Sequence, residues 1–168
     1  MKLLAFDTSS KALSVAILED ETLLAETTLT IKKNHSITLM PVIDFLMQQI
    51  DLKPKDLDRI VVAEGPGSYT GLRIAVATAK TLAHTLKINL VGVSSLLALV
   101  PENLEGLVVP VMDARRNNVY AGFYQGDQLV APEGHFPFEE VLERAATSDK
   151  ISFVGEVTAF EDQIKARL

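Results

Sequence analysis

Residues 60–86 read IVVAEGPGSYTGLRIAVATAKTLAHTL. The β-branched run Ile60-Val61-Val62 has the composition of a buried strand, Gly65, Gly67 and Gly71 interrupt it, and an alanine-rich helical pattern follows. That order sets a helix start at the carboxyl end of a strand. First-turn N–H groups there lack intrahelical partners, and the macrodipole adds partial positive charge. Glycine carries no Cβ, so another group can come close to its backbone. Two readings stay open: a phosphate cradle made by Gly65, Gly67, Ser68 and Gly71, or a tight strand-to-helix turn and nothing more. The spacing G-x-G-x-x-x-G is too long for the dinucleotide fingerprint and lacks the Lys-Ser/Thr of a P-loop.

Downstream, Leu72, Ala75, Val76, Ala79, Leu82, Ala83 and Leu86 share one helix face. Ile74, Thr78, Thr81 and Thr85 lie outside that stripe and make a small, flat surface. Asn89–Val93 read as a strand, and Ser94 should cap a short helical run, 95–100, that Pro101 ends. The polar stretch 102–106 is the best boundary, giving lobes 1–102 and 103–168.

Upstream, Leu3–Phe6 suit a buried strand that ends at Asp7, and Thr8-Ser9-Ser10 a polar turn. Leu13, Val15 and Ile17 alternate with smaller or polar residues, and Leu23–Leu29 give a third strand, so an antiparallel meander is expected. In the helix of residues 35–50, Leu39, Ile43, Leu46, Met47 and Ile50 recur at helical spacing, and Met40 and Val42 widen the stripe. Ile37 and Phe45 fall outside it. A helix apolar on more than one side is expected to be buried by its own core and by a partner. Pro41 belongs in the first turn or marks a kink.

The second half repeats the first. LLAFDTSSKALSVAILEDETLLA and VVPVMDARRNNVYAGFYQGDQLVA lie together without a gap, with Asp7 on Asp113, Leu13 on Val119, Val15 on Ala121, Ile17 on Phe123 and Leu23 on Leu129. A helix (138–146), a strand (151–154) and a second helix (158–167) complete the match, so both halves read β-β-β-α-β-α. Two such lobes, each with an aspartate after strand 1, describe an α/β protein of the actin-like ATPase (ribonuclease H-like) fold, the second lobe incomplete. In that fold a nucleotide lies between the lobes. Asp7, Thr8, Ser9 and Asp113 are its candidate contacts, the aspartates reaching Mg²⁺ through water. The plainer alternative is that each aspartate caps a turn.

Other chemistry is thinly supported. The chain lacks cysteine, so thiolate catalysis and Cys-ligated metal are excluded. His35, His84 and His135 are far apart and none has a histidine four residues on, so no metal site is expected. No G-x-S-x-G occurs. The start of the chain does not have a signal peptide's apolar core and no run reaches membrane-span length, so a cytoplasmic protein without a membrane partner is expected. With a net charge of −6, only Lys32-Lys33 and Arg115-Arg116 are adjacent basic pairs, too few to grip nucleic acid unaided.

Three segments, FDTSSKALSVAI, EGPGSYTGLRIAVATAKTLA and MDARRNNVYAGFY, closely resemble the TsaB (YeaZ) family in order and spacing. The resemblance covers essentially the whole chain. It implies an actin-like fold and a non-catalytic role in making threonylcarbamoyladenosine beside the tRNA anticodon, with a catalytic TsaD subunit and a TsaE ATPase as partners and a homodimer when alone. Catalytic relatives carry H-x-x-x-H just after the strand that follows the glycine-loop helix, and here Ser95 and Leu99 stand at those places. The family's contact runs through the first two long helices, which implies an interface of Ile37, Met40, Ile43, Met47, Ile74, Thr78 and Thr81. Arg115 and Arg116 are candidates for an RNA or partner contact, tRNA meeting this chain indirectly. Family members generally continue past Leu168. An incomplete second lobe weakens an inter-lobe cleft, so no stably bound cofactor is expected; ATP or ADP would sit at the interface of the complex. The alternative is an independent actin-like ATPase or small-molecule kinase using Asp7, the glycine loop and Asp113.

Overall fold

Strict alternation builds the first sheet. In β1 (Lys2–Asp7) Leu4 and Phe6 point inward, in β2 (Ala12–Glu19) Leu13, Val15 and Ile17, and β3 (Thr22–Thr30) closes the antiparallel meander. The computed structural model describes residues 1–30 and 35–168, so the Lys32-Lys33 pair lies outside the described residues. Helix α1 (His35–Gln49), strand β4 (Arg59–Ala63), helix α2 (Tyr69–Leu86) and strand β5 (Asn89–Val93) follow. The strand order is β3-β2-β1-β4-β5, with β4 parallel to β1 and β5 parallel to β4.

The core of this unit joins Leu4, Phe6, Leu13, Val15, Ile17, Ile60 and Val62 of the sheet to Leu39, Ile43, Leu46 and Met47 of α1 and Ala75, Ala79 and Ala83 of α2. Alanines on α2 let its backbone lie close to the sheet, while α1 fills space with larger side chains, each worth about 1.5–3 kcal/mol when buried. Pro41 sits inside α1, beyond its first turn, and the helix continues through it. Proline frees the Ile37 carbonyl from its helical bond, and both residues lie on the exposed side where water can take that carbonyl.

One expected assignment is corrected here. Ile43 and Met47, expected to face a partner, are 3% and 5% exposed and belong to the unit's own core. Helical phase explains it: Leu39, Ile43, Leu46 and Met47 form one stripe, and a stripe that packs on the sheet cannot also meet a partner. The outward side carries Ile37, Met40 and Phe45, at 68%, 45% and 59% exposure. On α2, Ile74 and Thr78 are half-buried and Thr81 is exposed. The short helical run is also smaller than expected, a 3-10 turn at Leu97–Leu99 with Leu96 at its N-cap and no side-chain cap.

Contacts divide the described chain into Met1–Ser95 and Leu96–Leu168, earlier than the expected boundary after Glu102. The Leu99 side chain lies against Gly155, which ties this connection to the second unit. That unit comprises β6 (Leu107–Asp113), β7 (Asn118–Gln125), β8 (Gln128–Pro137), α3 (Phe138–Ala145), β9 (Ile151–Gly155) and α4 (Glu161–Arg167). Its sheet order, β8-β7-β6-β9, repeats the first without a counterpart of β5. Val119, Ala121 and Phe123 are buried as Leu13, Val15 and Ile17 are, and Leu23 and Leu129 are both 49% exposed.

The gapless superposition fails at the first strand of each unit. With Asp7 on Asp113, Leu4 and Phe6 fall on Pro110 and Met112, yet the core of the second unit takes Leu107, Val109 and Val111. Asp7 pairs with Ser14 across the sheet, whereas Asp113 pairs with Val119, a slip of one residue. β6 is buried on both faces, so its sequence carries no alternation to set the register.

These placements separate α1 into two kinds of position. Ile43→Asp should lower unfolding free energy by more than about 3 kcal/mol in urea titration, because it buries an unpaired carboxylate. Phe45→Asp, on the exposed side, should change it by no more than about 0.5 kcal/mol.

Candidate functional site

The site begins at the ends of β1 and β4, which lie side by side in parallel, so the turns that follow them meet. After β1, the Asp7 carboxylate accepts hydrogen bonds from the Ser9 N–H (2.7 Å) and the Ser9 hydroxyl (2.5 Å). This small turn presents the Thr8 and Ser9 carbonyls toward the glycine loop. The Ser9 carbonyl accepts from the Ser68 N–H at 2.7 Å, and the Thr8 hydroxyl donates to the Gly71 carbonyl at 2.6 Å. Thr8 and Ser9 are 0% and 1% exposed.

The glycines permit this contact. A Cβ on Gly71 would stand 1.9 Å from the Thr8 carbonyl oxygen, and one on Gly67 would stand 2.4 Å from that of Ser9. The close approach that the sequence foresees is therefore made by the chain's own backbone. Ser68 caps α2, its hydroxyl accepting from the Gly71 N–H at 3.2 Å. The far side of the loop is held by Ser95: its hydroxyl accepts from the Gly65 N–H at 3.1 Å, and its N–H donates to the Gly65 carbonyl at 2.8 Å. Ser95 is fully buried.

Asp7, Thr8, Ser9, Gly65, Gly67, Ser68 and Gly71 are thus brought together, but Thr8 bonds to Gly71, Ser9 to Asp7 and Ser68, and the Gly71 N–H to Ser68. Asp113 lies in the second unit and makes the corresponding turn there, its carboxylate accepting from the Arg115 N–H at 2.9 Å. Where the first unit uses a glycine loop, the second uses Gly155-Glu156. The Glu156 carboxylate accepts from the Asp113 N–H at 2.7 Å, and a Cβ on Gly155 would stand 2.5 Å from the Val111 carbonyl. Sequence reasoning missed Ser95 and Glu156 as latches, since nothing near either residue signals it.

Arg115 and Arg116 are exposed on the turn between β6 and β7. His35 is half-buried with Nε2 at 3.0 Å from the Ser10 carbonyl, and His84 and His135 are exposed. Among the described residues no group of three His, Cys, Asp or Glu side chains is placed to hold a metal ion. No helix of the described residues is long and apolar enough to cross a membrane.

A two-lobed repeat whose glycine loop folds onto the Asp7 turn belongs to the wider TsaD class: the family described as TsaD, tRNA N6-adenosine threonylcarbamoyltransferase, matches residues 22–166. Within it, the chain belongs to the TsaB family. It is 42% identical to the tRNA threonylcarbamoyladenosine biosynthesis protein TsaB of Bacillus subtilis, over 98% of this chain and 75% of that protein. It is 31% identical to TsaB of Escherichia coli, over 76% of this chain and 57% of that protein. The solved YeaZ structure from Pseudomonas aeruginosa superimposes with a TM-score of 0.75 at 33% identity, covering 81% of this chain and 67% of that one. The chain thus spans 75% and 57% of the length of these two relatives. The activator of 2-hydroxyisocaproyl-CoA dehydratase from Clostridium difficile shares the fold alone, with a TM-score of 0.51 at 16% identity over 88% of this chain and 52% of that one. The fold is the actin-like one expected from the two repeats.

The packing makes a sharp prediction for Gly71→Ala. Alanine improves helix propensity by up to about 1 kcal/mol, but its Cβ collides with backbone that cannot rotate away. The variant should lose more than about 2 kcal/mol in urea unfolding. Thr8→Val, which removes the bond from the buried Thr8 hydroxyl to the Gly71 carbonyl, should lose about 0.5–1.5 kcal/mol.

Proposed function

We propose that this chain is the non-catalytic, partner-binding subunit of a complex that installs threonylcarbamoyladenosine beside the anticodon of tRNA in the cytoplasm. The observation that carries this reading is the glycine loop closed on Thr8 and Ser9. A loop filled by its own chain has a structural use, which is to fix α2 against the sheet. Ser95 adds to it. Where catalytic relatives are expected to place the first histidine of a metal motif, this chain has a buried serine whose hydroxyl pins Gly65. The names of the Bacillus and Escherichia relatives support the same pathway.

The occupant of the exposed stripe on α1, Ile37, Met40 and Phe45, is the TsaD-like catalytic subunit. This chain itself matches the TsaD family over most of its length. A partner of the same fold offers a related helix pair, and related surfaces pair by an approximate two-fold. The same face serves for a homodimer when the catalytic subunit is absent. A TsaE-like ATPase joins the pair, and any ATP or ADP lies where the subunits meet.

Two experiments test this. Modification of an unmodified tRNA transcript by TsaD-like and TsaE-like subunits should require this chain; equal modification without it would overturn the assignment. Ile37→Asp/Phe45→Asp should abolish co-purification with the TsaD-like subunit, a loss of several kcal/mol from central apolar anchors, while the melting temperature stays near wild type. Steady ATP turnover by the pure chain, lost in Asp7→Ala, would instead support an independent ATPase.

A further inference from the structure

Arg115, Arg116 and Asn117 stand consecutively in the left-handed region, with φ of +69°, +53° and +59°. For long β-carbon-bearing side chains that conformation is costly, and a run of three is held only by its surroundings. Asp113 accepts from the Arg115 N–H, and the Asn118 side-chain amide donates to the Arg115 and Arg116 carbonyls at 3.3 and 3.2 Å. The Asn117 amide exchanges two hydrogen bonds with Gln163, at 3.2 and 2.8 Å. The first three hold the backbone of the turn, and the last two anchor the Asn117 side chain to α4. None engages a guanidinium.

The other arginines of this unit are spent differently. Arg144 pairs with Glu140 at 2.6 Å, and Arg167 reaches Glu139 and Glu143 at 3.5 Å. Among the described residues, Arg115 and Arg116 have no hydrogen-bond or ion-pair partner for their side chains, although the chain carries a net charge of −6. The Asp113 and Glu156 carboxylates each accept one backbone N–H of this turn, and neither pairs with a guanidinium. On β7, the strand that leads out of the turn, the half-buried Tyr120 meets His135 of β8 edge to face at 5.3 Å.

We infer that the Arg115–Arg116 turn is a contact for the phosphodiester backbone of RNA, with the Tyr120–His135 pair beside it as a surface for an unpaired base. Guanidiniums suit phosphate geometry, and aromatic rings next to them suit a stacked base better than they suit an acidic peptide. The inference draws only the choice of RNA from the tRNA-modification reading, and it fails separately: that reading is judged by reconstitution, this one by RNA binding to the chain alone.

The test is fluorescence anisotropy of a labelled, unmodified tRNA transcript titrated with the full chain at low salt. Arg115→Gln/Arg116→Gln should weaken binding about tenfold and reduce the slope of log affinity against log salt by about two. Arg115→Lys/Arg116→Lys should keep most of that slope. Lys150→Gln/Lys165→Gln, which removes the same charge elsewhere on the unit, should change affinity less than about threefold. Arg115→Gly/Arg116→Gly should raise the melting temperature while losing RNA, because glycine accepts the left-handed turn without cost. Equal losses in the lysine control, or unchanged affinity and slope in the glutamine variant, overturn the inference. So does displacement of polyglutamate, but not RNA, by these substitutions, which would assign the turn to an acidic protein surface.

Discussion

The first unit depends on the contact between the α2 entry and the Thr8-Ser9 turn. There backbone meets backbone at a distance only glycine allows, with a Cβ on Gly71 only 1.9 Å from a carbonyl oxygen. Parallel strands β1 and β4 end side by side, and without Gly67 and Gly71 the turns beyond them would collide. With them, the Ser68 N–H reaches the Ser9 carbonyl and the Thr8 hydroxyl reaches the Gly71 carbonyl, and these two bonds hold the start of α2 against the Thr8-Ser9 turn. The alanines along α2 then bring the helix close to the sheet, and α1 is left to offer its second side to solvent.

The second unit solves the same problem with other residues. Gly155 and Glu156 hold the Asp113 turn by one close backbone approach and one carboxylate. No long helix is launched there, and the exposed Arg115 stands where Ser9 is buried in the first unit, with Arg116 after it. The two units thus share the strand order and the aspartate turn and differ in the loop that meets the turn. The closed version positions a helix; the open version displays charge.

Much of this was legible in the residues. The place of β4, the limits of β5, the meander and the repeat followed from alternation and from the glycine-rich entry to α2. The repeated pattern from Leu13 to Leu23 located the second sheet, but the both-sides-buried run of β6 concealed a one-residue slip. Ile43 and Met47 were misplaced because a helix apolar nearly all round does not say which stripe meets the sheet; only packing does. Among the site residues, the sequence identified Asp7, Thr8, Ser9 and the glycines as a group. It could not say that they satisfy each other, since a loop made to admit a phosphate and a loop made to admit its own backbone need the same glycines. Ser95 and Glu156, serving as latches from a distance in sequence, left no local signal.

Hydrogen–deuterium exchange across residues 65–71 tests this account most directly. The amides of Gly65, Ser68 and Gly71 are bonded to Ser95, Ser9 and Ser68. They should exchange slowly, with the protection of the neighbouring strands, and adding ATP-Mg²⁺ to the isolated chain should leave their rates unchanged. Fast exchange in the free chain that becomes slow only when nucleotide is added would contradict it, and would make the loop a phosphate cradle after all.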